Sequence, residues 1–246
     1  MNYDGLFSVI VPFIFPFTGP HTVFLKFRHF FHILSLICGE IYYKIVLTHL
    51  WRFYIMKLLE ERILRDGVIK PGGILKVDSF LNHQIDPALV YEMALELKRL
   101  FKDEGVTKVF TIEASGIALA IMTAYVFDCP MVFAKKSKSS NISNDVYSVD
   151  IESFTHGNTN TVIVSREYIN KGDKILIVDD FLATGAALIG LRALAQQAEA
   201  EVVGAGIAVE KVFQGGGNLL RAQGMRIESL AKISKMDDDD GSLEFC

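Results

Sequence analysis

Four consecutive apolar residues, Ile175 to Val178, run directly into Asp179 and Asp180, then into a small Ala183-Thr184-Gly185-Ala186 turn, and only then into a helical stretch. A strand with one wet face alternates apolar and polar side chains, whereas an unbroken apolar run is buried on both faces. That pattern belongs to a parallel sheet covered by helices on each side. The exit of such a strand is where side chains leave the core for a crevice, so both carboxylates are expected at the solvent's edge above the sheet.

The rest of the chain repeats this rhythm. Lys57 to Arg65 predicts a short amphipathic helix ended near Gly67. Residues 69–87 read as irregular, with turn signals at Pro71-Gly72-Gly73 and Asp86-Pro87. Pro87 suits a first helical turn, and Leu89, Met93, Leu97 and Leu100 share one side of a helix running to about Lys102. KVFTI (108–112) is a strand, EASG (113–116) a turn, and IALAIMTAYVF a buried helix closed by Pro130. MVFAKK (131–136) is the next strand. Residues 137–160 are polar, and the alternation in VYSVDIESF and in TVIVS suits a hairpin or a mobile flap. After the central strand come a helix to about Ala200, the strand VVGAGIAVE, and a terminal piece containing MRIESLAKI. There is no internal repeat. The expectation is an α/β domain over residues 56–246, built on a mostly parallel twisted sheet flanked by helices.

Suggestive residues fall at the carboxyl ends of those strands: Glu113 to Gly116, Lys135 to Lys138, Asp179 to Gly185, and Glu210-Lys211. Ligands of open α/β sheets bind at such ends. Adjacent carboxylates accept hydrogen bonds and favour hard cations, so they suit a pair of sugar hydroxyls with Mg²⁺ nearby. The bulk-free turn lets ligand oxygens approach backbone N–H groups at the positive end of the next helix. Together they fit a sugar phosphate, with the diol on the acids and the phosphate on the turn. The plain alternative is a loop whose Asp and Thr only cap a helix. A strand ending in paired acids also occurs in P-loop nucleotide hydrolases, but the chain contains no G-x-x-x-x-G-K-[ST].

Composition narrows the partners. The net charge is −4 and no Lys/Arg-rich run offsets it, so there is no field for nucleic acid. Cys38, Cys129 and Cys246 are far apart, odd in number and without metal-ligand spacing, which fits reduced thiols in a cytoplasmic protein. Residues 1–55 differ from everything after them, holding 14 of the 27 aromatic residues and four of the six histidines. Their +2, taken from the chain's −4, leaves −6 for the remainder, an ordinary acidic domain. The segment reads as a membrane anchor interrupted by Glu40 and Lys44, as a secretory signal lacking a basic start, or as an upstream extension that is not part of the domain opening at Met56. The last reading is preferred, and it makes membrane association an unfavoured expectation.

Five segments in order carry a resemblance. ILIVDDFLATGAAL, with LKVDSFLNHQIDP (75–87), TIEASGIA (111–118), VFAKKSKS (132–139) and VEKVFQ (209–214), resembles the type I phosphoribosyltransferases and, among them, the bacterial branch that acts on xanthine. It spans essentially Met56 to the C-terminus and leaves out residues 1–55. The resemblance implies the type I phosphoribosyltransferase fold with a small hood and a mobile flap, a homodimer, and purine salvage. Xanthine and 5-phosphoribosyl 1-diphosphate would give xanthosine 5′-monophosphate and diphosphate, with Mg²⁺. It further implies that Asp179 and Asp180 bind the ribose hydroxyls and that Ala183, Thr184, Gly185, Ala186 and Ala187 hold the 5′-phosphate. Glu113, Ala114, Ser115 and Gly116 would form the diphosphate loop, with Lys135, Lys136 and Lys138 as helpers for the same anion. Leu75, Asn82 and Lys211 match purine-contacting positions. Two departures stand out: Thr184-Gly185-Ala186 replaces the Asn-Gly-Gln of related phosphate loops, removing a Gln contact, and Ala114 replaces a more usual Ser.

Diphosphate departure leaves positive charge on the ribose, so the site needs cations on the leaving group and carboxylates on the sugar rather than a strong nucleophile. No covalent intermediate is expected. Lys211 offers donors only, which suits a purine carbonyl and opposes an amino group. His83 and His156 show no triad or metal pattern, Phe181 either covers the purine or seats the loop, and the acidic run 237–240 reads as a solvated tail. Rival readings are a guanine- or hypoxanthine-preferring enzyme and a non-catalytic regulator of the same fold.

Overall fold

The computed structural model describes residues 57–136, 145–153, 158–238 and 240–246. The N-terminal extension 1–55, Lys138 and His156 lie outside the described residues. A helix, α1 (57–66), leads into the hairpin β1 (Val68–Lys70) and β2 (Ile74–Lys76), a π-helical turn at Asp78–Asn82, and α2 (Pro87–Phe101). Then follow β3 (Lys108–Ile112), α3 (Ile117–Phe127), β4 (Met131–Ala134), the hairpin β5 (Val146–Ser153) and β6 (Asn158–Ser165), and β7 (Lys174–Leu182). The chain closes with α4 (Ala186–Gln197), β8 (Glu201–Lys211), a 3-10 turn at Val212–Gln214, α5 (Gly216–Ala222), β9 (Ile227–Met236) and β10 (Leu243–Phe245).

Six strands form the main sheet in the order β10-β9-β8-β7-β3-β4, and every neighbouring pair is parallel except β10 with β9. From β3 the chain crosses outward to β4, and from β7 it crosses the other way to β8. Right-handed crossovers in opposite directions put α3 and α4 on opposite faces. The core therefore divides in two. Leu176 and Val178 of β7 point into a cluster with α1, α2 and α3, among them Leu59, Met93, Leu97 and Leu119. Ile175 and Ile177 point the other way, into a cluster with Leu188, Leu191 and Leu194 of α4, Leu220 of α5, and Val162 and Val164 of β6. The unbroken apolar run of the sequence thus fills both layers, each fully buried side chain being worth about 1.5–3 kcal/mol.

Local signals explain the ends. Asp86 caps α2 by accepting from the N–H groups of Ala88 and Leu89, both at 3.2 Å, with Pro87 in the first turn. The same carboxylate receives Arg62 Nη1 at 2.8 Å, which ties α1 to α2. Among the described residues no helix is long and apolar enough to cross a membrane.

The structure corrects the sequence reading at three places. The segment 68–87 is ordered as a hairpin and a π-turn whose Leu75, Val77, Phe80 and Leu81 enter the core. The terminal piece contains α5 as well as two strands. Asp238, in the predicted solvated tail, accepts from Gly72 N at 2.7 Å and from Gly73 N at 3.1 Å, so it pins the β1–β2 turn.

Candidate active site at the carboxyl end of the sheet

β7 is longer than the apolar run. Its pairing with β3 stops where Phe110 meets Ile177, while pairing with β8 continues to Leu182 opposite Glu210. Beyond Ile177 one side of β7 is left open, facing the 113–116 turn. Asp179 and Asp180 lie in that stretch and are each only 5% exposed. They are walled in rather than held at the solvent's edge, because β8 covers one side and the 113–116 turn the other.

Asp180 is held by the Ser115 hydroxyl, which donates to its Oδ1 at 3.0 Å, and its own N–H donates to Asp179 Oδ1 at 3.0 Å. Burial, and then the neighbouring charge of Asp180, push the Asp179 carboxyl well above the usual carboxylate range, with Lys136 opposing. Gly116 makes this packing possible: a Cβ there would sit under 3.0 Å from both Thr111 Oγ1 and Asp179 Oδ1. Thr111 Oγ1 is buried and has no protein partner. The Glu113–Ala114 peptide bond is cis, and Glu113 Oε1 accepts from the N–H of Lys136 at 2.7 Å.

The Ala183-Thr184-Gly185 turn follows. Gly185 has φ of +88°, a left-handed conformation that favours glycine, and it is the N-cap of α4. The acids, the turn and Glu113, Ser115 and Lys136 line a cavity of about 300 Å³, which also touches Ile112, Phe181, Gln214 and Ala186 to Leu188. From the β5–β6 hairpin, Ile151, Asn160 and Val162 close one wall. A second opening of about 340 Å³ lies at the amino ends of β8 and β9, and Arg192 is the single charged side chain lining it.

Leu75, Asn82, Ala114, Gly116, Lys135 and Lys211 are outside that lining. Leu75 is 5% exposed, in the core cluster shared with α1 and α2. Lys135 exchanges two backbone hydrogen bonds with Ile163 of β6, at 2.8 and 2.9 Å, fastening the hairpin to the exit of β4. Lys211 leaves the end of β8, donates to Gly73 O at 2.7 Å and lies 5.5 Å from the centre of the Phe181 ring. Burial lowers its ammonium from the usual lysine range, against the pull of Asp238. Asn82 Oδ1, at the end of the π-helical turn, is buried without a protein partner, a free acceptor. Among the described residues no three His, Cys, Asp or Glu side chains converge on a metal position.

Sequence reasoning passed over Asn160 and Ile151, since only the polar character of their segment marked it. It also passed over Gly216, which backs the turn.

The profile of the phosphoribosyl transferase domain matches residues 76–214, which takes in the acids, the turn and the 113–116 loop. The chain belongs to the phosphoribosyltransferase family. The xanthine phosphoribosyltransferase of Clostridioides difficile (strain 630) is 54% identical over 191 residues, covering 77% of this chain and all of that relative. That of Lachnoclostridium phytofermentans is 50% identical over 190 residues, covering 77% of this chain and 98% of the relative. Among solved structures, adenine phosphoribosyltransferase from Rhodothermus marinus superposes with a TM-score of 0.61 at 23% identity, over 73% of this chain and 98% of that one. The last likeness concerns the fold alone, and it agrees with the main sheet flanked by helices being the phosphoribosyltransferase core.

Proposed function

We propose that this phosphoribosyltransferase transfers the phosphoribosyl group of 5-phosphoribosyl 1-diphosphate to xanthine in purine salvage, yielding xanthosine 5′-monophosphate and diphosphate. The observation that carries the choice of base is identity of 54% to a xanthine phosphoribosyltransferase along that relative's whole length. The geometry supports the donor half independently.

In this reading the turn Ala183–Ala187 receives the 5′-phosphate on backbone N–H groups at the start of α4, and the Thr184 hydroxyl adds a donor. Asp179 and Asp180 accept the ribose hydroxyls. As the bond from the anomeric carbon to diphosphate breaks, positive charge grows on the ribose, and the two buried acids stabilise it. The 113–116 loop and Lys136, with Lys135 nearby, hold the departing diphosphate. The purine nitrogen then bonds the anomeric carbon and loses its proton. Mg²⁺ bound with the donor would neutralise charge on the diphosphate, and Asp179 and Asp180 are the carboxylates that would face it. Asn82 Oδ1 suits a purine N–H, and Lys211 suits a purine carbonyl once it exchanges Gly73 O for the ligand. Phe181 and Leu75 give that base an apolar flank.

A homodimer, a cytoplasmic location and a domain confined to residues 56–246 belong to the same proposal. Sedimentation and cell fractionation test the first two. The function is tested by following nucleotide formation from xanthine, guanine, hypoxanthine and adenine with the diphosphate donor and Mg²⁺. Xanthine is expected to give the highest kcat/KM and adenine none. Adenine turnover matching xanthine, or no nucleotide from any base, contradicts the assignment.

A further inference from the structure

We propose that Glu210 and Arg221 are positioning residues for the phosphate-binding turn, acting on it through Gly216; the inference rests on reading Ala183–Ala187 as that turn. Phosphate loops work by holding several N–H groups at fixed points, and nothing within Ala183-Thr184-Gly185 has the bulk to hold itself. The turn is held from behind by α5. Gly216 N donates to Ala183 O at 3.2 Å, and the approach is so close that a Cβ on Gly216 would lie under 3.0 Å from Thr184 C, Ala183 O and Gly185 N. Leu220 of α5 stands 3.1 Å from where a Gly185 Cβ would be, completing the contact.

A helix of seven residues does not hold its own place, so something must lock α5. The lock is Glu210, 1% exposed, whose two oxygens each take one Arg221 nitrogen at 2.7 Å. The Ser229 hydroxyl donates to the same carboxylate at 2.5 Å, and Arg221 Nη2 also donates to Ile227 O at 3.3 Å, so β9 shares the load. Gly217 gives the ion pair room, since a Cβ there would fall under 3.0 Å from Glu210 Oε1 and Arg221 Nη1. Glu210 is also the backbone partner of Leu182, the last residue before the turn. One residue therefore fixes both sides: its backbone sets where β7 ends, and its side chain sets where the helix behind the turn sits.

The test measures the affinity of ribose 5-phosphate, a probe that carries the phosphate without the reaction, together with KM for each substrate. Glu210→Gln puts an amide N–H against guanidinium donors, and Gly216→Ala pushes directly on the turn. Both are expected to weaken ribose 5-phosphate and raise KM for the donor by roughly tenfold or more, since displacements of about an ångström at a binding frame carry such costs. KM for xanthine should stay near wild type. Asp173→Asn is the structural control: it breaks the 2.6 Å pair with Lys108 at the opposite end of the sheet and should lower Tm without moving either affinity. Gly185→Ala separates the two readings. If it abolishes ribose 5-phosphate binding while folded Glu210→Gln binds like wild type, the positioning role is refuted and the site stands. If Gly185→Ala itself binds normally, the assignment of the turn fails and the inference fails with it. Should Gly216→Ala not fold, Glu210→Gln decides.

Discussion

At Asp179 burial, and after it the charge of adjacent Asp180 in a cage where each is 5% exposed, pushes the carboxyl above its ordinary range. Asparagine keeps the oxygen that accepts the Asp180 N–H and removes the charge. Asp179→Asn is therefore expected to raise the Tm of the ligand-free protein, by about 2–4 °C for each kcal/mol relieved, and to lower kcat roughly 100-fold. Thermal melts and steady-state rates check it; a lower Tm would mean that the charge is compensated rather than strained. Lys211→Ala removes a charged hydrogen bond worth about 1.5–3 kcal/mol, so KM for xanthine should rise about tenfold or more, with KM for the donor unmoved. A shift in donor KM alone would place Lys211 with the diphosphate instead.

The β5–β6 hairpin is the element on which closure of the cavity depends. It is docked on α4 at Gly190, where a Cβ would lie under 3.0 Å from Ile151, and Gln197 Nε2 donates to Ser148 O at 2.8 Å. Gly190→Val should unseat the hairpin while sparing the sheet: faster proteolytic cleavage within 146–165, a higher KM for the donor, and a Tm change small beside that of a core substitution. Unchanged proteolysis would show that the hairpin is held by its Lys135–Ile163 and Gln197–Ser148 hydrogen bonds rather than by the contact at Gly190. The strands and helices of the sheet were legible in sequence because each apolar run is short, flanked by turn residues, and buried on two faces. The burial of Asp179 and Asp180 was not, since it depends on β7 continuing beside β8 after β3 has turned away. Helix α5 was hidden for a related reason: it opens on a run of glycines, poor helix formers, and only the folded chain reveals that the turn needs the missing side chain of Gly216. The acid pair and the turn were legible as a candidate site because their chemistry is written in consecutive residues, whereas Asn160 and Ile151 reach the same cavity from a distant hairpin.

For the whole molecule, two carboxyls set opposing pH dependences. Burial acts to raise Glu210, yet Arg221 and Ser229 outweigh it and hold the group below its ordinary 4.5. Its contribution is present above that value and is lost as pH falls through the lowered one. Asp179 is shifted the other way from 3.8, so its contribution is present below that value and is lost as pH rises through the raised one. Melting curves across an acid-to-alkaline series should lose part of their acid limb in Glu210→Gln and part of their fall towards alkaline pH in Asp179→Asn. A chain beginning at Met56 should keep the full-length kcat and Tm, and loss of either would bring residues 1–55 into the domain. The central claim is that paired acids at the carboxyl end of β7 hold the sugar while the following turn holds its phosphate. The most direct measurement is kcat for nucleotide formation by Asp179→Asn/Asp180→Asn, with folding verified by its melt: a fall of about 1,000-fold or more is expected, and a rate equal to wild type would contradict it.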